Sequence, residues 1–146
     1  MLKTGPDWRS LAAAFLLTLF PLINAVPAAA EAPVPLNKEA HINEQLVAVV
    51  VGDTIRKTCP TISARMITVY IKAKKLEQYA RDKGYSEAEV KVFLKDKAEK
   101  ARVKGLAAAY IAKNGVVKGD TDSYCRLGRA EIEKGSLIGS LLSDDE

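Results

Sequence analysis

Two cysteines, one histidine, and a scatter of carboxylates and phenols are the side chains through which this 146-residue sequence could do chemistry. Cys59 and Cys125 are far apart in sequence, and Cys59 precedes Pro60. Thiol–disulfide catalysts place two cysteines as Cys-x-x-Cys at a helix N-terminus, where the thiol pKa falls. That spacing is absent, so a structural disulfide is the expected pairing, with a redox pair as the alternative. Two cysteines and one histidine cannot by themselves make a four-ligand structural zinc site. His41 stands near a predicted helix start, and no Gly-x-Ser-x-Gly or related motif offers it a nucleophile. Glu39, Glu44, Glu87, Glu89 and Glu99 could in principle pair for acid–base work. All five are predicted on solvated helix positions, without the flanking aromatics of sugar sites. Tyr70, Tyr79, Tyr85 and Tyr124 are the remaining candidates for an enzyme. No Gly-rich phosphate loop is present. The expectation is therefore no catalytic residue, no cofactor and no metal.

The elements that must position these residues begin after an N-terminal segment of a different kind. Lys3 and Arg9 precede an apolar run from Leu11 to Ile23, which is shorter than the roughly 20 residues of a bilayer span. Pro27-Ala28-Ala29-Ala30 then offers small residues at the −3 and −1 positions of a signal-peptidase site. Residues 1–30 are read as a signal peptide cut between Ala30 and Glu31, with Ala32 as the second choice and an uncleaved anchor as the alternative. A periplasmic protein is expected. Residues 31–36, rich in proline, are read as an extended linker. Residues 37–142 are read as one helical domain, and 143–146 as a frayed acidic tail. The chain carries a net +4. From Arg56 to Lys104 there are 14 basic and six acidic residues, and from Gly119 to Glu146 three basic and seven acidic.

The pattern predicts an all-α fold: a small bundle of three main helices plus a short C-terminal helical hairpin, without strands. Helix one is predicted from an N-cap at Asn37 to about Lys57, stopped by Cys59-Pro60. Gly52 inside it costs about 1 kcal/mol relative to Ala, which suggests a close helix–helix approach. Thr61 or Ser63 is expected to cap helix two, whose stripe Ile62, Met66, Val69, Ala73, Leu76 and Ala80 follows helical steps. Gly84 suits a left-handed C-terminal cap. Ser86 and Glu89 form a capping box for helix three, predicted to run unbroken to Asn114-Gly115 with Val90, Phe93, Leu94, Ala98, Ala101, Ala108 and Ala112 on its apolar side. Gly105 is read as a kink or close crossing. A shorter helix spans about Ser123 to Lys134 and stops at Gly135, with Ser136 capping a last turn over Leu137 to Leu142. Cys59–Cys125 would tie the first helix to the C-terminal region and, closing a loop of about 67 residues, contribute roughly 4 kcal/mol.

The stretch Arg81 to Val90 resembles a helix-turn-helix corner in basic surroundings. Export would keep it from DNA, and Glu77–Arg81, Glu87–Lys91 and Asp96–Lys100 are spaced as i,i+4 ion pairs. A salt-bridged, solvated surface is the first reading of residues 56–104. A contact with an acidic envelope protein or anionic lipid is the second. No nucleic acid and no stable membrane span after signal cleavage are expected.

Residues Ile55-Arg56-Lys57-Thr58-Cys59-Pro60-Thr61-Ile62-Ser63-Ala64-Arg65, Gly84-Tyr85-Ser86 with Phe93-Leu94, and Asn114 to Gly139 through Tyr124-Cys125-Arg126-Leu127-Gly128 carry a resemblance. Over Leu36 to Leu142 the chain resembles an uncharacterised domain family of small exported alphaproteobacterial proteins of the Rhodobacter–Roseobacter group. The resemblance implies a shared fold and assigns no activity. Some relatives carry a label as a respiratory NADH dehydrogenase subunit, but a two-iron two-sulfur subunit needs four cysteine-type ligands. The functional expectation is a non-enzymatic binding or accessory protein of the cell envelope. The alternatives are a small periplasmic acid-stress-type chaperone and an accessory protein of the NADH dehydrogenase.

Overall fold

The computed structural model describes residues 33–145; the expected signal peptide and its cleavage at Ala30 or Ala32 lie outside them. Five helices follow in order: α1 (Ala40–Thr58), α2 (Met66–Asp82), α3 (Glu87–Lys95), α4 (Lys97–Lys113) and α5 (Thr121–Glu133). Two three-residue strands, β1 (Ile62–Ala64) and β2 (Leu142–Asp144), pair antiparallel. The fold is mostly helical, as the pattern predicts, but the expected C-terminal helical hairpin is instead α5 followed by a 3-10 turn, Gly139–Leu141, that runs into β2, and three further places differ.

The first difference is at the start of α1. Asn37 lies in a 3-10 turn, Leu36–Lys38, and Glu39 is the N-cap, its side chain accepting from Ile42 N at 2.6 Å. Asn37 instead donates from Nδ2 to Glu99 Oε1 at 3.1 Å. The linker thus ends in a turn held to α4.

The second difference is the sheet. Thr61 and Ser63 do not cap α2, which begins at Met66 without a side-chain cap. Ile62, Ser63 and Ala64 pair with Asp144, Ser143 and Leu142, and the Ser63 and Ser143 hydroxyls are 2.8 Å apart. The tail is therefore not frayed up to Asp145. Asp145 N donates to Thr61 O at 2.8 Å, and Arg129 Nε donates to Asp144 Oδ2 at 2.9 Å.

The third is the split of the long third helix. Asp96 is extended (φ −61°, ψ 130°), and its carboxylate accepts from Glu99 N at 2.8 Å, capping α4. An aspartate satisfies orphan N–H groups at a helix start better than it serves a helix interior. The local signals on either side hold as read. Ser86 and Glu89 complete a reciprocal capping box, and Gly84 ends α2 at φ +91°. Only glycine takes that backbone without strain.

The core forms around the middle of α1. Ala48, Val51, Ile55 and Cys59 meet Ala107 and Ile111 of α4, Cys125 and Leu127 of α5, and Ile62, Ile138 and Leu142. The Cys59–Cys125 disulfide sits inside this cluster with Cα atoms 5.1 Å apart. The buried face of α4 is Val103, Ala107 and Ile111, whereas Ala98, Ala101, Ala108 and Ala112 face solvent. Two glycines permit the closest approaches, and neither is the pair expected. A Cβ on Gly128 would overlap Ile55 and Ile62, and one on Gly139 would overlap the Glu131 backbone. Gly52 meets only Leu142, at ordinary contact distance, and Gly105 meets nothing.

Candidate binding groove

Helix α2 packs only lightly on α1, while α1 packs chiefly on α4 and α5. Its predicted apolar stripe is consequently only partly a core stripe: Ala80 forms a second small buried cluster with Ile42 and Tyr85, and Leu76 packs against it. Only Ala80 of it is buried within α2; Ala73 is exposed and Met66 is 66% exposed. Val69, Ala73, Leu76 and Ala80 instead form one wall of a groove of about 240 Å³. Ile42, Leu46 and Val49 of α1 form its floor, and Val90, Phe93 and Leu94 of α3 its far wall. Small side chains at 73 and 80 leave the space open. The turn at Gly84 and the capped start of α3 set the third wall, so the helix-turn-helix-like corner shapes this groove.

A second hollow of about 190 Å³ adjoins it, sharing Leu46, Val49, Phe93 and Leu94 and extending to Val103. Lys72 lies on the rim of the first, and Lys100 and Lys104 on the rim of the second. The rim carboxylates are engaged elsewhere. Glu77 pairs with Lys74 at 2.8 Å, and Glu99 pairs with Arg102 at 2.6 Å while accepting from Asn37. Hydrogen bonding from Lys74 and from Arg102 holds the two carboxyls below their ordinary range. Lys72, Lys100 and Lys104 have no ion-pair partner among the described residues. The groove thus combines an apolar floor with lysines at its rim that form no ion pair among the described residues. The expected i,i+4 pairs are replaced: Glu77 turns back to Lys74, Arg81 donates to Gln78, and Asp96 caps α4.

Several of the candidate acid–base residues are held in hydrogen bonds that position the helices. The Tyr79 hydroxyl donates to Glu39 Oε1 at 2.8 Å, and the His41 ring lies 4.5 Å from the Tyr79 ring. Burial opposes ionisation of Glu39, yet the bonds from Ile42 N and Tyr79 leave its pKa lowered overall. Glu39 raises the Tyr79 pKa, so this phenol is a poorer proton donor than a free one. Tyr85 is buried and its hydroxyl donates to Val34 O, which anchors the lead-in to the end of α2. Tyr70 is exposed, and Tyr124 is half-buried against the main core. Glu89 serves the capping box; Glu44 and Glu87 are exposed. These groups are therefore not brought together at the groove. Glu39 and Glu99 are not simply solvated, as the helical pattern suggests, because each bonds across to another element.

One polar cluster escapes the sequence reading. Glu131 on α5 is 1% exposed. It accepts from the Tyr110 hydroxyl at 2.8 Å and from the Ser136 hydroxyl, and Lys134 Nζ lies 3.5 Å away. Burial pushes the Glu131 carboxyl up, but the bonds from Ser136 and Tyr110 and the Lys134 charge bring it below its ordinary value. Burial and Glu131 push the Tyr110 phenol up to about 12. A carboxylate spaced four residues from Leu127, on the buried side of α5, is the signal that could have found it. The cluster joins α4, α5 and the Ser136 turn. No group of three metal-ligating side chains converges among the described residues, and no helix among them is long and apolar enough to cross a membrane.

Residues 34–143 match the sequence profile of a family of unknown function, DUF5333, and the chain belongs to that family. No curated protein and no solved structure matches the chain.

Proposed function

We propose that this protein is a non-enzymatic binding protein of the cell envelope whose ligand is a small amphiphile: one apolar chain with an anionic head. The open apolar groove between α1, α2 and α3, with unpaired Lys72, Lys100 and Lys104 on its rim, carries this reading. Its two adjoining hollows, about 240 and 190 Å³, share an apolar lining with a few polar groups, the composition typical of small-ligand sites. An apolar chain along Leu46, Val49 and Phe93 would lose contact with water, and an anionic head would meet an ammonium at the rim. A non-catalytic role is supported by the bonding of Glu39 to Tyr79, Glu89 to Ser86 and Glu99 to Arg102. Envelope residence rests on the signal-like residues 1–30 and fits the disulfide, which persists in oxidising compartments.

Titration of the full chain with a fluorescent fatty-acid analogue tests the reading. Saturable binding is expected, weakened about tenfold or more by Ala73→Trp, which fills the groove from an exposed position, and unaffected by Val117→Trp outside it. Lys100→Glu with Lys104→Glu should weaken the acid and spare its uncharged alcohol counterpart. Unsaturable binding, or an Ala73→Trp variant that binds like wild type, overturns it. Recovery of NADH dehydrogenase subunits from crosslinked envelope, with no amphiphile binding, would replace it by the accessory reading.

The acid-stress chaperone reading has one specific support. The net-lowered pKa values of Glu39 and Glu131 mean that acid removes stability at the start of α1 and near the end of α5. Protection of a model client from aggregation near pH 3, absent at pH 7, would favour it.

A further inference from the structure

The outer face of α2 is a separate surface from the groove. Met66, Ile67, Tyr70 and Ile71 occupy one side of its first half, at 66%, 80%, 64% and 47% exposure. Their spacing places Ile67, Tyr70 and Ile71 together on a face turned away from Val69 and Leu76, with Met66 at its border, between that face and the Val69–Ala73 side. Most soluble helices carry polar side chains on the side opposite their packed stripe. Here both sides of the first half are apolar. Contiguous exposed apolar patches of this kind mark interaction surfaces.

The charge around the patch narrows the occupant. From Arg65 to Lys83 there are six basic and two acidic residues. Glu77 is taken by Lys74, and Asp82 accepts from Gln78. Lys74 itself lies 5.9 Å from the Tyr70 ring centre, over the patch. A second copy of this chain would set one cationic helix against another, and like charges juxtaposed across an interface are unfavourable. A single helix face is convex, so it fits a surface that deforms around it. An exposed tyrosine among aliphatic side chains, flanked by lysine and arginine, is the composition of a helix lying in a membrane interface.

We propose that the outer face of α2 docks the protein in the plane of an anionic membrane, with Met66, Ile67, Tyr70 and Ile71 inserted at the headgroup boundary and Lys75 and Arg81 meeting anionic headgroups. The site would be peripheral and reversible. Its occupant is the lipid surface itself, so the proposal stands whether or not the groove holds an amphiphile.

Flotation of the full chain with vesicles of phosphatidylglycerol and phosphatidylcholine, and with phosphatidylcholine alone, provides the test. Every variant carries the apolar run Leu11–Ile23, so differences between variants are read rather than binding as such. Ile67→Glu with Tyr70→Glu should lower partitioning onto the anionic vesicles about tenfold or more. Both positions are exposed, and an unchanged circular dichroism spectrum shows that the variant is folded. Lys75→Glu should lower partitioning about fivefold on anionic vesicles only, and more weakly as salt is raised. Val117→Glu, exposed between α4 and α5, should change nothing. Three results overturn the proposal: no loss for Ile67→Glu with Tyr70→Glu, an equal loss on neutral and anionic vesicles, or a wild-type dimer that this variant converts to monomer. The last would assign the face to a second copy.

Discussion

Replacing Glu131 with glutamine should destabilise the protein at neutral pH and do so much less in acid. The Glu131 carboxylate is 1% exposed and accepts from two hydroxyls, those of Tyr110 and Ser136. Hydrogen bonds to a charged group contribute about 1.5–3 kcal/mol each net of water. Glutamine keeps one carbonyl oxygen, so one hydroxyl retains a neutral acceptor and the other faces an amide N–H₂. The expected loss is about 2–4 kcal/mol at pH 7. The sign of the pH dependence follows from the carboxyl lying below its ordinary value in the fold. Its stabilising effect is complete above the unfolded value of about 4.3 and disappears as pH falls through the folded value. Urea unfolding followed by far-ultraviolet circular dichroism, from pH 7 down to about pH 2.5, measures both quantities. The gap between wild type and Glu131→Gln should narrow steadily below about pH 4.3. Tyr110→Phe should cost about 1.5–3 kcal/mol in wild type and less in the Glu131→Gln background. A gap that stays constant across the whole pH range, or one under about 0.5 kcal/mol at pH 7, refutes a buried ionised carboxylate as the link between α4 and α5.

Three further outcomes follow from the packing. Cys59→Ala with Cys125→Ala opens a loop spanning 66 positions and should cost about 4 kcal/mol in urea unfolding, whereas a loss under about 1 kcal/mol would show that the unfolded chain is not constrained by the bridge. Gly128→Ala and Gly139→Ala push a Cβ into Ile55 and Ile62 or into the Glu131 backbone and should each lower stability by about 3 kcal/mol or more, while Gly105→Ala, with nothing near it on α4, should raise stability by about 1 kcal/mol. Ending the chain at Leu142 removes the partners of Ile62 and Ser63 and the carboxylate bound by Arg129, and should cost roughly 2 kcal/mol; an unchanged midpoint would mean that the tail is frayed after all.

The parts of the fold that were legible in the sequence are those decided by neighbours in the chain. The capping box at Ser86 and Glu89 and the left-handed stops at Gly84 and Gly135 depend on a few adjacent residues, and all stand where the pattern places them. The Cys59–Cys125 bond was legible because only one intramolecular pairing exists. Features decided by distant partners were not. Strands of three residues are too short to show alternation, and Ser63 finds Ser143 across 80 positions. The spacing of Asp96 and Lys100 suggests an ion pair because the helical phase of Val90, Phe93 and Leu94 continues past Asp96, while its cap geometry wins locally. The groove was half legible. Periodicity identifies Val69, Ala73, Leu76 and Ala80 as one apolar side, but it does not report whether anything covers that side. The same limit hides the exposure of Met66, which periodicity places on that stripe. Glu131 is hard to single out in the sequence because an acidic residue on a short helix is ordinarily solvated.

The most direct test of the groove as a binding site uses a fatty acid carrying a photoactivatable group midway along its chain. After irradiation with the full-length protein, digestion and mass spectrometry locate the adducts. Adducts are expected on the peptides holding Leu46 and Val49 and on those holding Phe93 and Leu94, and they should be lost in Ala73→Trp. Labelling confined to the Met66–Ile71 face, or spread evenly and insensitive to Ala73→Trp, would contradict it.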